Sequence, residues 1–147
     1  MQDFDAKVAA NPEQLADWLE SLVDAGVDFF DCSQRHYWQA EFADSPLNFA
    51  AWVKKISGKP AITVGSVGLN AEMRDSLLEG KTASVNPADI ERMMAMLSRD
   101  EFDMVAIGRS LIANPDWPKK IASGQFNQLA DFTPQVLKQT SPTYEFL

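Results

Sequence analysis

Hydrophobic positions recur at helical spacing in three segments of this chain, and each of these segments opens with a sequence that caps a helix. A fourth capping sequence predicts a final helix. The first begins at Asn11-Pro12-Glu13-Gln14, and Gly26 supplies a left-handed stop. Its inward positions are Leu15, Trp18, Leu19, Leu22 and Val23. The second helix starts at Ser45-Pro46 and ends at Gly58, and its inward positions are Phe49, Ala50, Val53 and Ile56. The third starts at Asn86-Pro87, and its inward positions are Ile90, Met93, Met94 and Leu97. The last starts at Asn114-Pro115 and ends at Gly124. The pattern predicts four helices.

Three short apolar runs lie between these helices and predict buried strands. They are Val27–Ser33, Pro60–Val64 and Phe102–Ile107. Strands that alternate with helices about every 30 to 40 residues favour parallel βαβ units with right-handed crossovers. The predicted fold class is therefore α/β with three parallel strands, in a single domain over residues 1–147. Residues 69–85 form a longer connection, and residues 131–147 a tail laid over the surface.

The three predicted strands leave a small open sheet with two exposed edges, because a closed parallel barrel needs about eight strands. Either a further element covers the edges, or a second copy of the chain pairs with them, or the chain is a piece of a larger protein. Under the last two alternatives, the edges are where a homo-oligomer or a missing barrel portion would bind.

Charge and composition narrow the possible partners. The 147 residues hold 13 Lys and Arg against 21 Asp and Glu, a formal charge of -8, and no basic block to neutralise nucleic acid or an anionic membrane surface. No run of about 18 apolar residues predicts a membrane span, and no metal site is predicted. A single cysteine, Cys32, excludes an internal disulfide, so a reducing, cytoplasmic setting is expected. Cys32 itself is expected in the packed interior.

Two strand-to-loop junctions carry the candidate chemistry. In Val64-Gly65-Ser66-Val67-Gly68, the glycines let backbone amides approach an anion where a Cβ would collide, although Gly-x-x-Gly after a strand is also a common tight turn. In Ile107-Gly108-Arg109-Ser110-Leu111, an arginine at the start of a short helical turn can fork two donors onto a phosphate. The alternative for Arg109 is a surface ion pair. Because both loops would leave the C-terminal ends of adjacent parallel strands, together they predict one phosphate site.

The stretch from Gly26 to about Phe132 resembles the C-terminal part of the old yellow enzyme family, the FMN-dependent NADH:flavin oxidoreductases and ene-reductases. The segments that carry the resemblance are Asp31-Cys32-Ser33 with Arg35 and Trp38, then Ile62–Gly68, then Val105–Trp117. It implies that the three strands are the last three of a (β/α)₈ TIM barrel. It also implies that backbone groups of Gly65, Ser66 and Gly108, with the side chain of Arg109, bind the phosphate of FMN.

The resemblance further implies that the loop after the first strand forms part of the active-site rim, where His36, Tyr37 and Trp38 would line a substrate pocket. The alternative is that Tyr37 and Trp38 cover the barrel rim and that His36 is a solvated loop residue. The family's other flavin contacts, its substrate-anchoring His or Asn pair and its Tyr proton donor belong mainly to the first five strands. The chain has no counterpart of those strands, so no catalytic residue is predicted in it.

The sequence thus predicts the FMN-phosphate-binding portion of an NAD(P)H:flavin oxidoreductase, in which hydride transfer through FMN requires the complete barrel. Whether the chain alone is an enzyme is left open. One alternative is a non-catalytic α/β module that binds an anion or a protein through its sheet edges. The other is a truncated product without a function of its own.

Overall fold

In the computed structural model, which describes residues 7–139, short strands alternate with helices, as the hydrophobic pattern predicts. The strands are β1 (Phe30–Ser33), β2 (Ala61–Val64) and β3 (Met104–Val105). The helices are α1 (Pro12–Asp24), α2 (Phe49–Ser57), α3 (Met73–Leu78), α4 (Pro87–Ser98), α5 (Arg109–Ala113), α6 (Trp117–Ala122) and α7 (Val136–Gln139), with a 3₁₀ helix at Phe126–Gln128. Within the described range, none of the helices combines the length and the apolar character that a membrane crossing requires.

The three strands form one parallel sheet in the order β1-β2-β3, which confirms the α/β prediction. Phe30 of β1 pairs with Ala61 of β2, and Ile62 of β2 pairs with Met104 of β3. Each strand is shorter than its apolar run, because only part of each run pairs with a neighbouring strand. The origin of these strands in a barrel stays a prediction.

The chain divides into two compact units. Unit 1 comprises the described part of Met1–Gly65 together with Glu91–Ala106, and it contains the sheet. Unit 2 comprises Ser66–Ile90 and the described part of Ile107–Leu147. The single-domain organisation stays a prediction, and residues 140–147 of the predicted tail lie outside the described residues.

In unit 1, helix α2 packs against α1 and against the strands β1 and β2. The predicted cap of α1 is confirmed, since the Asn11 side chain accepts the N–H of Gln14 at 2.9 Å. The predicted start of α2 at Ser45-Pro46 is wrong, because the helix begins at Phe49 with Asn48 as its N-cap. Asn48 is fully buried and also donates to the carbonyl of Tyr37, so a tertiary contact selects it as the cap.

Helix α4 begins at Asn86-Pro87 as predicted, but its inward row differs by one position. Ile90, Met93 and Met96 are buried, whereas Met94 is exposed. These three buried residues are spaced i, i+3, i+6, so they lie on one side of the helix.

In unit 2, the predicted final helix start at Asn114-Pro115 is wrong, since α6 begins at Trp117. The side chain of Asn114 is buried and exchanges two hydrogen bonds with the backbone of Ala130, at 2.8 and 2.9 Å. An amide that closes this contact is not available to cap a helix. Phe132 lies just beyond, fully buried and paired with Ala83 in an antiparallel bridge.

Candidate functional site

The loop after β2 is held by an internal carboxylate. The N–H of Gly68 donates to Asp89 Oδ2 at 2.7 Å, and the carbonyl of Gly68 accepts the N–H of Asn86 at 2.9 Å. Asp89 is buried in the first turn of α4. The anion that meets the second glycine of the loop is therefore a side chain of the chain itself.

The first glycine of this loop is required by a close approach of backbone. A Cβ on Gly65 would lie 2.5 Å from the carbonyl oxygen of Gln34 and 3.1 Å from backbone atoms of Arg35, and the φ of Gly65 is +145°. The carbonyl of Gly65 also accepts the N–H of Tyr37 at 3.2 Å. Within unit 1, Gly65 thus lets the loop after β1 pack onto the end of β2.

Ser66 follows directly and adopts a left-handed conformation, with φ +55°. Residues other than Gly, Asn and Asp rarely occupy this region, and when they do they often belong to functional sites. Ser66 is half-buried. Its backbone stays a predicted contact for an anion.

The two junctions lie side by side where both belong to unit 2. Ser110 Oγ donates to the carbonyl of Val67 at 2.8 Å, and both residues are buried. A Cβ on Gly68 would lie 3.5 Å from Ser110 Oγ. This contact joins the loop after β2 to the first turn of α5, which begins at Arg109.

The guanidinium of Arg109 is half-buried and hydrogen-bonds to neutral acceptors. Nη1 donates to Ser76 Oγ and Nη2 to the carbonyl of Ala71, both at 2.8 Å. Burial lowers the pKa of Arg109 from its usual value, while the carboxylates of Asp75 and Glu72 oppose that shift. Neutral acceptors do not compensate the positive charge, and these two bonds use two of the five N–H donors of a guanidinium.

Gly108 leaves open space beside the arginine that follows it. Among residues 7–139, a Cβ built on Gly108 meets no atom within 4 Å other than those of its chain neighbours. A guanidinium with further N–H donors and a glycine with an open side are groups that a phosphate monoester can contact. Arg109 and the open side of Gly108 are compatible with a phosphate group, and a phosphate site at this junction stays a prediction.

The predicted rim residues belong to unit 1 and form an aromatic cluster. The rings of His36 and Trp38 stack with centroids 4.6 Å apart, and Tyr37 meets Trp38 edge-on at 5.2 Å. Tyr37 is fully buried, whereas His36 and Trp38 are half-buried, and the guanidinium of Arg92 lies 5.6 Å from the Trp38 ring. Their role at a substrate pocket stays a prediction.

Side-chain amides hold this rim loop in place. Asn48 Nδ2 donates to the Tyr37 carbonyl at 2.6 Å, and Gln34 Nε2 donates to Thr63 Oγ1 at 2.9 Å. Cys32 lies nearby on β1, 2% exposed, and burial together with the charge of Asp31 raises its pKa to about 12. The burial of the Cys32 side chain confirms the prediction that it belongs to the packed interior.

Three residues of unit 2 that sequence reasoning did not single out hold the candidate site together: Ser76, Asp89 and Ser110. Asp89 had a signal, because it stands three residues after the cap Asn86, but that spacing predicts helix capping and not a bond to Gly68. Ser110 stands in the predicted junction without an assigned role. Ser76 had no signal, since it lies in the connection 69–85, in which no helix was predicted. Among the described residues, no group of three or more His, Cys, Asp or Glu side chains could hold a metal ion.

Comparison with known proteins shows similarity between this chain and an oxidoreductase. No known family profile matches the chain. It is similar to an NADH oxidase from Thermoanaerobacter brockii, with 29% identity over 125 residues that cover 80% of this chain. The chain spans 16% of the length of that relative. The chain is therefore similar to a short part of a much longer NADH oxidase.

Proposed function

We propose that this chain is the FMN-phosphate-binding part of an NAD(P)H-dependent flavin oxidoreductase of the old yellow enzyme type. One observation carries the proposal: in unit 2, the bond from Ser110 Oγ to the Val67 carbonyl joins two loops beside the charged fork of Arg109. Similarity to an NADH oxidase supports the broader part of the proposal, that the longer protein is an oxidoreductase. FMN as its cofactor is the narrower part.

The charge of Arg109 favours a phosphate at this position. Its guanidinium donates to Ser76 and Ala71, which are neutral acceptors, in a half-buried setting where a charge–charge contact is stronger than in bulk water. A phosphate monoester carries close to two negative charges and offers three acceptor oxygens. Arg109 would bind it with its remaining N–H donors, and Ser66 and Gly108 would line the same oxygens.

In this proposal, FMN and the chain have separate roles. When bound, FMN supplies hydride transfer at its ring, and the protein supplies binding and orientation. This chain binds the phosphate end and thereby orients the cofactor. The groups that act at the reacting atoms would belong to the rest of the longer protein.

The phosphate is tested by comparing FMN with riboflavin, which has the same ring but no phosphate. We expect the chain to bind FMN more tightly, and Arg109→Ala to weaken FMN binding about 100-fold while leaving riboflavin unchanged, because it removes a charge-assisted contact. Quenching of flavin fluorescence during titration measures both affinities. Arg99→Ala is the matched control, since Arg99 is exposed and forms an ion pair with Glu101 in unit 1.

Two results would contradict the proposal. One is equal affinity of the unsubstituted chain for FMN and riboflavin. The other is an equal loss of FMN affinity in Arg109→Ala and Arg99→Ala, which would point to net charge and not to a site.

The sheet edges in unit 1 support a proposal about the partner. The outer strands are β1 and β3, and large apolar side chains are exposed beside them: Phe29 is 53% and Met104 is 47% exposed. The relative is far longer than this chain. We propose that these edges bind the remaining strands of the longer protein.

An isolated chain with such edges is expected to self-associate, because unpaired strands and exposed apolar side chains template further pairing. Sedimentation velocity should show concentration-dependent association that the double substitution Phe29→Lys and Met104→Lys abolishes. Leu78→Lys is the control, since Leu78 is 77% exposed on α3 in unit 2, outside the sheet. A chain that stays folded and monomeric at every concentration would count against the edges as an interface.

A further inference from the structure

Ser76 of α3 is fully buried and touches the guanidinium of Arg109. Its hydroxyl donates to the carbonyl of Glu72 at 3.1 Å and accepts from Arg109 Nη1 at 2.8 Å. A hydroxyl has one hydrogen, a carbonyl only accepts and a guanidinium only donates, so the direction of both bonds follows from their chemistry. Ser76 is therefore committed as an acceptor for Arg109.

Two further contacts fix the plane of the guanidinium. The carbonyl of Ala71 accepts from Nη2 at 2.8 Å, and the ring centroid of Phe132 lies 5.9 Å from Cζ. Phe132 is fully buried, and its backbone exchanges two hydrogen bonds with Ala83, at 2.8 and 2.9 Å. Three contacts from different parts of unit 2 thus converge on one side chain.

The segment that carries Ala71 and Ser76 is closed at its base. Leu69 and Val85 form an antiparallel bridge, and Asn70 and Ser84 exchange two hydrogen bonds, through the Asn70 N–H at 3.0 Å and the Asn70 side chain at 2.8 Å. Loops of this length with joined ends are compact and hold their own side chains in place. The two acceptors for Arg109 therefore lie in a connection whose ends are joined by hydrogen bonds.

We infer that Ser76 is a positioning residue, whose hydroxyl, with the Ala71 carbonyl, orients the Arg109 guanidinium toward a phosphate monoester. The inference rests on the proposed function. An arginine already held in its binding orientation loses less rotamer freedom when it binds an anion, and its affinity is higher for that reason. The acceptors are neutral, so they orient the fork without cancelling the charge that binds the phosphate.

The nearby charges agree with this role. Burial lowers the pKa of Arg109, but the carboxylates of Asp75 and Glu72 favour the charged form. Because arginine keeps its charge in proteins, Ser76 would act on the orientation of the guanidinium donors and not on their charge.

The test is Ser76→Ala, measured by titration with FMN and with riboflavin. We expect about a tenfold loss of FMN affinity, the scale of one lost orienting bond, and no change for riboflavin. In the Arg109→Ala background, Ser76→Ala should have no further effect, because the residue acts through the arginine. A purely structural role would not distinguish the two flavins.

Two further variants serve as a control for Ser76→Ala and as its replacement. Ser57→Ala is the matched control, since Ser57 is half-buried in α2, donates to the carbonyl four residues earlier at 2.7 Å and also accepts one bond. If Ser76→Ala fails to fold, Ser76→Cys replaces it, because a thiol fills similar space but is a weak acceptor. The same loss of FMN affinity is expected.

Three outcomes would overturn the inference. Equal weakening of FMN and riboflavin by Ser76→Ala would make Ser76 structural only. Unchanged FMN affinity in Ser76→Ala, with a loss in Arg109→Ala, would remove Ser76 from the site and leave the proposed function intact. No preference of the unsubstituted chain for FMN over riboflavin would overturn both.

Discussion

Replacing Gly65 by alanine should destabilise the chain by about 3 kcal/mol, the sum of a forced overlap and a disfavoured backbone conformation. The new Cβ would lie 2.5 Å from the carbonyl oxygen of Gln34. That atom is backbone, held by the bond from the Gln34 N–H to the carbonyl of Val64 at 3.2 Å, and cannot swing aside as a side chain would. Urea unfolding followed by tryptophan fluorescence measures the loss as a lower midpoint with an unchanged slope.

The control for Gly65→Ala is Gly58→Ala. Gly58 ends α2 with φ +67°, and in the described part of the chain a Cβ there meets no atom within 4 Å beyond its chain neighbours. This substitution therefore carries only the backbone cost of about 1 kcal/mol. A larger loss in Gly65→Ala than in Gly58→Ala is what the overlap with Gln34 and the more strained φ of Gly65, +145°, add together. Equal losses would mean that the close approach is not what requires glycine at position 65.

Local signals predicted the alternation of the three strands with helices, including α1, α2 and α4. The cap at Asn11 and the left-handed glycines at 26, 58 and 124 act within a few residues, so single-sequence chemistry identifies them. The parallel order of the strands follows from their alternation with helices. These features need no knowledge of distant contacts.

The helix starts that were misplaced depend on distant contacts. Ser45-Pro46 and Asn114-Pro115 both have the local form of a helix start. Asn48 caps α2 instead, while also bonding to Tyr37, and Asn114 is committed to Ala130. A partner 11 or 16 residues away leaves no trace in local spacing.

Local sequence likewise identified some residues of the candidate site and missed others. The glycines and Arg109 stand in recognisable strand-to-loop junctions, so the sequence indicated them. Ser76 is 33 residues from Arg109, in a connection without a predicted helix, and its bond to the guanidinium exists only in the folded chain. The sequence therefore supplied the group that would bind an anion, and the fold supplies the groups that hold it in place.

Replacing Phe132 by alanine should cost about 3 to 5 kcal/mol, the range for removing a fully buried aromatic ring. Its side chain packs with Leu69 and Ala83 and with the partly buried Ala71, Ile112 and Ala113 of unit 2. The position lies within the segment that the sequence predicted as a surface tail. A loss below about 1 kcal/mol, typical of an exposed site, would show that this residue does not belong to the core of unit 2.

Phe132→Leu separates packing from the ring contact with Arg109. Leucine keeps much of the buried volume, so we expect a smaller loss of stability, about 1.5 kcal/mol. It has no aromatic face for the guanidinium, a contact worth about 0.5 to 1 kcal/mol, so FMN affinity should fall two- to fivefold while riboflavin binding stays unchanged. Urea midpoints and flavin titrations of the two variants give both quantities. If Phe132→Leu retains full FMN affinity, the ring supports the core alone, and Ser76 and Ala71 suffice to orient Arg109.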